Sequence, residues 1–267
     1  MQYHEFPVPE PLKGYVQTMW AMESESDTEQ YPRSLIMPDG IVEAIFHYKE
    51  PFHYYQENKK YKQDALIAVS MMKKYMEIES DGATGFIAVR FFPWGAYHFF
   101  DTPISSFVDQ TINAEQLWPG DPERLISSLR DAATLESRVE IIIVFLLEKL
   151  RLHQKEEAGT DNVIRLIREY KGTLSIEQVA ERTGINLKQL ERKFSSLLGT
   201  TPKVFSRVCR FLDICHHLHQ HKGKSLTALA YECGYFDQSH FINDFKSFSG
   251  FTPKEFFEKE HIWFTES

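Results

Sequence analysis

The last hundred residues contain an internal duplication, and this repeat restricts the possible folds more than any other feature. Val179-Ala180 lies fifty positions before Leu229-Ala230, and Gly184 lies fifty before Gly234. The offset then becomes fifty-one, because one residue is inserted near Phe236. The later matched pairs are Asn186 and Asp237, Leu190 and Phe241, Phe194 and Phe245, Gly199 and Gly250, Thr201-Pro202 and Thr252-Pro253, and Phe205 and Phe256. Such a repeat indicates two copies of one supersecondary unit.

Each copy predicts two helices joined by a tight turn. Ser175 and Ser225 are suitable N-caps for the first helix, because their hydroxyl oxygens can accept backbone N–H groups. Gly184 and Gly234 follow where the chain must turn sharply, and a positive φ is easiest for glycine. The second helix is capped by Asn186 in one copy and by Asp237 in the other. The pattern therefore predicts a helix-turn-helix in each copy.

The second copy also carries a longer motif, Gly234-Tyr235-Phe236-Asp237-Gln238-Ser239-His240-Phe241, followed by Phe245-Lys246 and Gly250-Phe251-Thr252-Pro253-Lys254-Glu255-Phe256. This motif resembles the signature of AraC/XylS-type transcription regulators, and the resemblance covers about residues 160–257. It implies an all-α DNA-binding domain over residues 160–267. Two helix-turn-helix units, about 174–199 and 224–250, would be joined by a helix at about 203–219. The implied partners are double-stranded DNA and RNA polymerase.

The charge distribution agrees with a DNA-binding C-terminal part. The chain has a net charge of -8, yet residues 1–159 hold 15 Lys and Arg against 25 Asp and Glu, and residues 160–267 hold 15 against 13. These sums are -10 and +2. Within residues 165–256 the count is 14 against 9, or +5. An acidic regulatory part joined to a more basic nucleic-acid-binding part would show this asymmetry.

The first hundred residues predict short strands. Apolar or alternating runs recur at 41–46, 65–69 and 85–92, and turn-forming residues such as Pro38-Asp39-Gly40 separate them. This spacing is typical of a small barrel or sandwich. Met37-Pro38-Asp39-Gly40 and the run Arg90-Phe91-Phe92-Pro93-Trp94-Gly95-Ala96 are similar to a regulatory domain that often precedes this DNA-binding module. The resemblance implies a cupin-like barrel that senses a small molecule or forms dimers.

The fold class predicted for the whole chain is therefore α+β with two domains. A β-rich sensor or dimerisation domain occupies residues 1–155, with helices from about 104, at 104–112, 122–133 and 135–152. The polar segment 153–159 ends in glycine and marks the domain boundary. A new helix is predicted to begin at the Thr160/Asp161 cap.

In a helix-turn-helix the second helix enters the major groove, so its exposed stripe faces the bases. In the first copy this stripe is Lys188, Gln189, Glu191 and Arg192. An arginine can bind guanine and a glutamine can bind adenine, each through two hydrogen bonds, and a glutamate can accept from cytosine. Taken singly, each of these residues is better explained by solvation of a helix face than by contact with DNA. The repeat and the family resemblance favour DNA contact most clearly for Arg192, Lys188 and Gln238.

The equivalent stripe of the second copy is less basic. It consists of Gln238, Ser239, His240, Ile242 and Asn243. We therefore expect the first copy to carry more of the base specificity and the second to help position the protein. Phosphate contacts are predicted at Lys203, Arg207, Arg210 and Lys246, although surface solvation explains these residues nearly as well.

No residue pattern predicts an enzyme, a cofactor or a metal site. The three cysteines, Cys209, Cys215 and Cys233, lack Cys-x-x-Cys spacing and are predicted to be free thiols. His217 and His221 have the spacing of two zinc ligands on a helix, but no acidic ligand follows them, so they are interpreted as the polar end of the connecting helix. The alternative function is a small-molecule-binding or enzymatic barrel whose helical tail mediates assembly.

Several expectations concern the N-terminal part and the cellular context. An aromatic-lined effector cavity would draw on Trp20, Phe46, Tyr48, Arg90, Trp94 and His98, but aromatic residues in a barrel more often belong to its core. A homodimer formed through residues 1–150 is also expected. The N-terminus has no signal-peptide pattern, and no apolar run is long enough for a bilayer, so a cytoplasmic protein without a membrane partner is predicted.

Overall fold

The computed structural model describes residues 1–120, 122–153, 160–217, 224–258 and 262–263. Its N-terminal region, residues 1–113, holds ten strands: β1 Gln2–Phe6, β2 Val16–Glu23, β3 Ser34–Ile36, β4 Val42–His47, β5 His53–Gln56, β6 Lys59–Lys62, β7 Leu66–Val69, β8 Met76–Glu79, β9 Gly85–Phe91 and β10 Thr111–Asn113. The helices that follow are α1 Ala114–Leu117, α2 Pro122–Asp131, α3 Leu135–His153, α4 Thr160–Glu169, α5 Ile176–Thr183, α6 Leu187–Leu198, α7 Pro202–His216, α8 Leu226–Glu232, α9 Gln238–Ser249 and α10 Pro253–Phe257. The predicted strand-rich region followed by a helical one is confirmed.

The strands form two sheets. The first has the order β1-β2-β9-β4-β7-β10, with every pair antiparallel. The second has the order β11-β3-β8-β5-β6, in which β11 is Ile262–Trp263 and pairs parallel with β3. The strands are therefore not joined into one closed sheet, although two facing sheets are broadly compatible with the predicted cupin-like architecture. The backbone of β11 ties the C-terminal end of the chain to the N-terminal region.

The central strand β9 shows why the two sheets pack together. It is buried on both faces, so its residues read as one apolar run rather than as an alternation. Ile87 and Val89 belong to the large core shared with the helices, whereas Phe86 and Ala88 join a smaller apolar cluster with Ile78 of the second sheet. One face of the first sheet thus packs against helices, and the other packs against the second sheet.

The predicted helix at 104–112 is wrong. The structure has a single 3-10 turn at Ile104–Ser106 and then β10, whose Ile112 is paired with Ala68 of β7. The segment contains β-branched residues, and pairing with β7 satisfies its backbone groups at the edge of the first sheet. Regular helix therefore begins at Ala114, and the helices predicted at 122–133 and 135–152 are present as α2 and α3.

Helix α3 buries one apolar face. Val139, Ile142, Leu146 and Leu150 are buried in the large core, which continues from the first sheet into α4, α5, α6 and the start of α7. The second helix-turn-helix has its own core, in which Met37 of the N-terminal region takes part. The predicted domain boundary falls on residues outside the described ones. None of the described helices is long and apolar enough to cross a membrane.

Candidate nucleic-acid interface

The first helix-turn-helix, named here the first unit, consists of α5 and α6. Ser175 caps α5 in a reciprocal capping box with Gln178. Gly184 ends α5 at a φ of 69°, in the left-handed region where glycine carries no steric penalty. Asn186 then caps α6 by accepting a 2.9 Å hydrogen bond from the Gln189 N–H. These predicted turn features are all present.

The second unit consists of α8 and α9 and is built in the same way. The Ser225 hydroxyl accepts from the Ala228 N–H at 3.1 Å, and Gly234 has a φ of 73°. Asp237 caps α9 by accepting a 2.7 Å hydrogen bond from the His240 N–H. The repeated sequence pattern therefore gives the same local structure twice.

Helix α7, the connecting helix, packs against both second helices of the repeat. The Phe205 ring lies 5.8 Å from the Phe194 ring of α6, centroid to centroid. Farther along α7, the Phe211 ring lies 5.1 Å from the Phe245 ring of α9. These edge-to-face contacts join the two units through one continuous helix, so their relative position is set by packing rather than by a loose linker.

Helix α6 has a buried face and an exposed face. Leu190, Phe194, Leu197 and Leu198 are buried. The predicted base-contacting residues lie on the opposite side and are exposed: Lys188, Gln189, Glu191 and Arg192. This face can offer cationic, amide and carboxylate groups to a ligand. The structure thus brings the four residues onto one accessible surface.

Helix α9 presents a more neutral face. Phe241, Phe245 and Phe248 are buried, and the exposed predicted residues are Gln238, Ser239, His240 and Asn243. Ile242 is partly buried against the core of the second unit. The Gln238 side-chain carbonyl accepts a 2.6 Å hydrogen bond from the Thr227 hydroxyl. Within this predicted set, Ile242 is therefore the least accessible residue.

The predicted phosphate contacts fall into two classes. Lys203 and Lys246 are exposed. Arg207 instead binds the buried carboxylate of Asp244, and Arg210 donates a 3.1 Å hydrogen bond to the Gly172 carbonyl while lying over the Tyr235 ring. The two arginines thus have internal partners that sequence reasoning missed. Their contact with phosphate stays a prediction. Such a contact would have to use the guanidinium N–H groups that are not already bonded to these internal partners.

The residues predicted to line an effector cavity make contacts at several separate places in the N-terminal region. Trp20 and Arg90 both contact Glu43. The indole N–H of Trp20 donates a 2.9 Å hydrogen bond to Oε1 of Glu43, and Nε of Arg90 lies 3.6 Å from the same oxygen. Arg90 also pairs with Asp39. Burial raises the pKa of Glu43, while the positive charge of Arg90 opposes that shift. The other candidates have separate neighbours: Phe46 stacks near Trp118, the Tyr48 hydroxyl donates to Glu23, the Trp94 indole donates to the Gly14 carbonyl, and His98 contacts Tyr15.

The cysteines are buried and free. Burial raises the pKa of the Cys209 thiol to about 12 and that of Cys233 to about 11, and it raises the pKa of Cys215 as well. Thiols of this kind are poor nucleophiles at neutral pH. Among the described residues no group of histidine, cysteine, aspartate and glutamate is arranged to hold a metal ion. His221 lies outside the described residues, and His217 Nδ1 lies 2.9 Å from the Asp213 carbonyl.

Comparison with known families matches two parts of the chain. Residues 179–259 match the family model described as a helix-turn-helix domain. Residues 4–113 match a domain of unknown function (DUF6597). The first match covers most of both units and the whole connecting helix, and the second covers the two-sheet region up to β10.

The curated relatives that the chain resembles are described as transcriptional activators. The chain is 28% identical over 137 residues to the HTH-type transcriptional activator RhaS of Escherichia fergusonii, covering 49% of each chain. It is 30% identical over 132 residues to RhaS of Salmonella arizonae, covering 47% of each. The chain thus spans about half the length of the curated relatives it matches. Among solved structures, ToxT from Vibrio cholerae aligns with 96% of this chain and 98% of its own at 11% identity, with a TM-score of 0.45.

Proposed function

We propose that this chain, whose C-terminal region belongs to the AraC/XylS family of transcription regulators, binds duplex DNA sequence-specifically and reads two successive major-groove segments. One observation carries the proposal. The connecting helix α7 packs against both recognition helices, α6 and α9, while the polar side chains of both helices face outward. The relatives described as transcriptional activators make activation the proposed outcome of binding.

Recognition would rest mainly on the first unit. Arg192 would bind guanine O6 and N7, Gln189 would bind adenine, and Glu191 would accept from cytosine, while Lys188 adds positive charge on the same face. The second unit would add the amide and hydroxyl groups of α9 and would help to set the register. Successive major-groove segments on one side of B-DNA lie about 34–36 Å apart, so the expected site is bipartite and asymmetric for each chain.

Regulation by the N-terminal region is part of the proposal, and several contacts support it. The Tyr75 N–H donates a 3.0 Å hydrogen bond to the Phe248 carbonyl of α9, and the Tyr75 ring lies 5.9 Å from that of Phe251. Gly40 of the N-terminal region also lies close to α7, because a Cβ atom placed on it would be 3.4 Å from the Phe205 ring. A small molecule or a second copy that binds the N-terminal region with different affinity in two arrangements would change how α6 and α9 are presented.

The contact at Tyr75 gives this coupling a direct test. Tyr75→Ala removes the ring against Phe251 but keeps the backbone hydrogen bond to Phe248. We expect the variant to change DNA affinity or promoter output in the full-length protein. Tyr61→Ala, which removes an exposed ring of β6, is the control. Identical DNA affinity and promoter output for both variants and the wild type would contradict coupling through this contact.

The remaining partners follow from the same proposal. A regulator of this kind acts in the cytoplasm beside RNA polymerase and carries out no chemical step itself. Transcription in vitro with purified polymerase, with and without the protein, tests activation. A homodimer formed through residues 1–150 is tested by sedimentation of the full-length protein. A monomer at every concentration would restrict the proposal to one chain per site.

The decisive experiment for the proposed function is selection of bound duplexes from a random DNA pool by the full-length protein at two salt concentrations. We expect enrichment of a two-part motif and a steep loss of affinity at higher salt, because phosphate contacts release counterions. Failure to enrich any motif, combined with salt-independent binding, would overturn the proposed function and return attention to the N-terminal region.

A further inference from the structure

Phe236 is the most exposed of the large apolar side chains that the structure describes. Its exposed fraction is 84%, and it directly precedes Asp237, the N-cap of α9. It also marks the place where the second copy of the repeat carries one residue more than the first. The protein therefore places a full aromatic ring in water at the start of its second recognition helix.

Packing within the fold does not explain this ring. An apolar residue just before an N-cap often packs against the fourth residue of the helix, here Phe241. In this protein Tyr235 does so, because it is 3% exposed and its ring lies 5.3 Å from the Phe241 ring. In the first unit the residue before the cap is Ile185, which packs against the core. The inserted residue thus leaves Phe236 outside the apolar contact that stabilises the turn.

The location of Phe236 indicates its partner. The N-terminal end of a recognition helix is the part that contacts base edges, and Phe236 lies beside the exposed residues Gln238 and Ser239 at that end of α9. The predicted contacts of α9 are uncharged or weakly basic, and Ile242 is partly buried, so α9 itself offers little exposed apolar surface to a base. Phenylalanine can contact the thymine methyl group in the major groove.

We propose that Phe236 is a specificity-determining residue whose ring packs against a thymine methyl group at the edge of the second major-groove segment. This inference rests on the proposed function, and it assigns the inserted residue to DNA rather than to a protein partner. The contact would give the second half of the site a preference for thymine. The polar residues of α9 would then fix the register around that base.

The test uses the full-length protein and the duplex that the wild type selects. Each thymine of the second half is replaced in turn by uracil, which lacks only the methyl group. We expect the wild type to lose about fourfold in affinity at one position, the factor that corresponds to burial of one methyl group. Phe236→Ser should bind the unmodified duplex more weakly and should be insensitive to uracil at that position.

The controls separate this inference from its premise. Tyr61→Ser removes an exposed ring from β6 in the N-terminal region and should leave DNA binding unchanged. Because the Phe236 side chain is 84% exposed, Phe236→Ser should unfold at the wild-type temperature. If the wild type selects a duplex but Phe236→Ser binds it with equal affinity and equal uracil sensitivity, the proposal is wrong while the proposed function stands. A loss of transcription activation without any loss of DNA affinity would also overturn it, by assigning the ring to a protein partner.

Discussion

The Nε atom of Arg207 donates a 2.6 Å hydrogen bond to Oδ1 of Asp244 and thereby joins the connecting helix α7 to α9, the second helix of the second unit. The Asp244 side chain is 4% exposed and that of Arg207 is 29% exposed. The guanidinium also lies over the Phe248 ring, 5.2 Å from its centroid. A charged pair therefore adds a directional constraint to the apolar packing between α7 and α9.

Removing the cation should destabilise the protein. Arg207→Ala leaves the buried carboxylate of Asp244 without its paired charge. Because Arg207 itself is partly exposed, we expect the free energy of unfolding to fall by about 3 kcal/mol or somewhat less. Chemical denaturation measures the effect. The double variant Arg207→Met with Asp244→Leu should recover most of the loss, because it removes both charges. Equal destabilisation by the single and double variants would show that packing, not charge, holds this contact.

Two glycines give a matched comparison of backbone strain and contact. Gly184 and Gly199 end α5 and α6 with φ of 69° and 65°. Alanine at 184 would meet nothing within 4 Å, so it should cost about 1–2 kcal/mol for the left-handed backbone alone. At 199 the new Cβ would clash with the side chain of Val108 and lie 2.8 Å from Cα of Ser105, both in the N-terminal region. Gly199→Ala should therefore cost about 1–3 kcal/mol more, measured as the free energy of unfolding. Equal losses would mean that α6 moves away from Val108 without cost.

His47 predicts a pH dependence of stability. Burial lowers its pKa from 6.5 to about 4, and Nδ1 lies 3.2 Å from the Ala65 carbonyl. Below pH 6.5 the unfolded chain binds a proton that the folded chain does not accept until about pH 4. The free energy of unfolding should therefore fall as the pH falls from 6.5 to 4, by at most about 1.4 kcal/mol per pH unit. Above pH 6.5, His47 should add no pH dependence to stability. Unfolding curves of His47→Asn should fall less steeply than those of the wild type between pH 6.5 and 4. Parallel curves would contradict the assignment of a neutral buried imidazole.

The repeat made the C-terminal helices predictable in detail. Caps such as Ser175 and Asn186 and the glycine turn at Gly184 act over a few residues, so the local sequence determines them. The sequence predicts a helix over 104–112, but this segment forms a 3-10 turn and then β10. Its pairing with β7, more than thirty residues earlier, decided the outcome, and such long-range pairing leaves no local signal.

The sequence predicts which side of each helix is exposed at the candidate interface. It does not predict which of the candidate DNA-contacting residues pair with other residues inside the protein. The exposed side of α6 follows from helical periodicity, because Leu190 and Phe194 define the buried side. The pairing of Arg207 with Asp244 depends on how α7 crosses α9, which no spacing in the sequence specifies. Phe236 was visible only as the site of a one-residue shift, and its exposure came from the structure.

Base and phosphate contacts should respond differently to substitution. Arg192→Ala should lower the affinity for the selected duplex by about 1–3 kcal/mol and relax one base position, because an arginine pairs with guanine through two hydrogen bonds. Asn243→Ala should relax a position in the second half of the site. Lys203→Ala should weaken binding to all sequences alike and reduce the salt dependence. Unchanged site selection by Arg192→Ala and Asn243→Ala would show that the recognition helices are placed wrongly.

We propose that one chain reads two major-groove segments with helices held at a fixed relative position by α7. The most direct measurement is the affinity of the full-length protein for its selected duplex before and after insertion of half a helical turn, about five base pairs, between the two parts of the site. We expect a large loss of affinity, because the second segment then faces the opposite side of the DNA. Unchanged affinity for the lengthened duplex would contradict it, since only one unit, or two independently mobile units, could bind both duplexes equally.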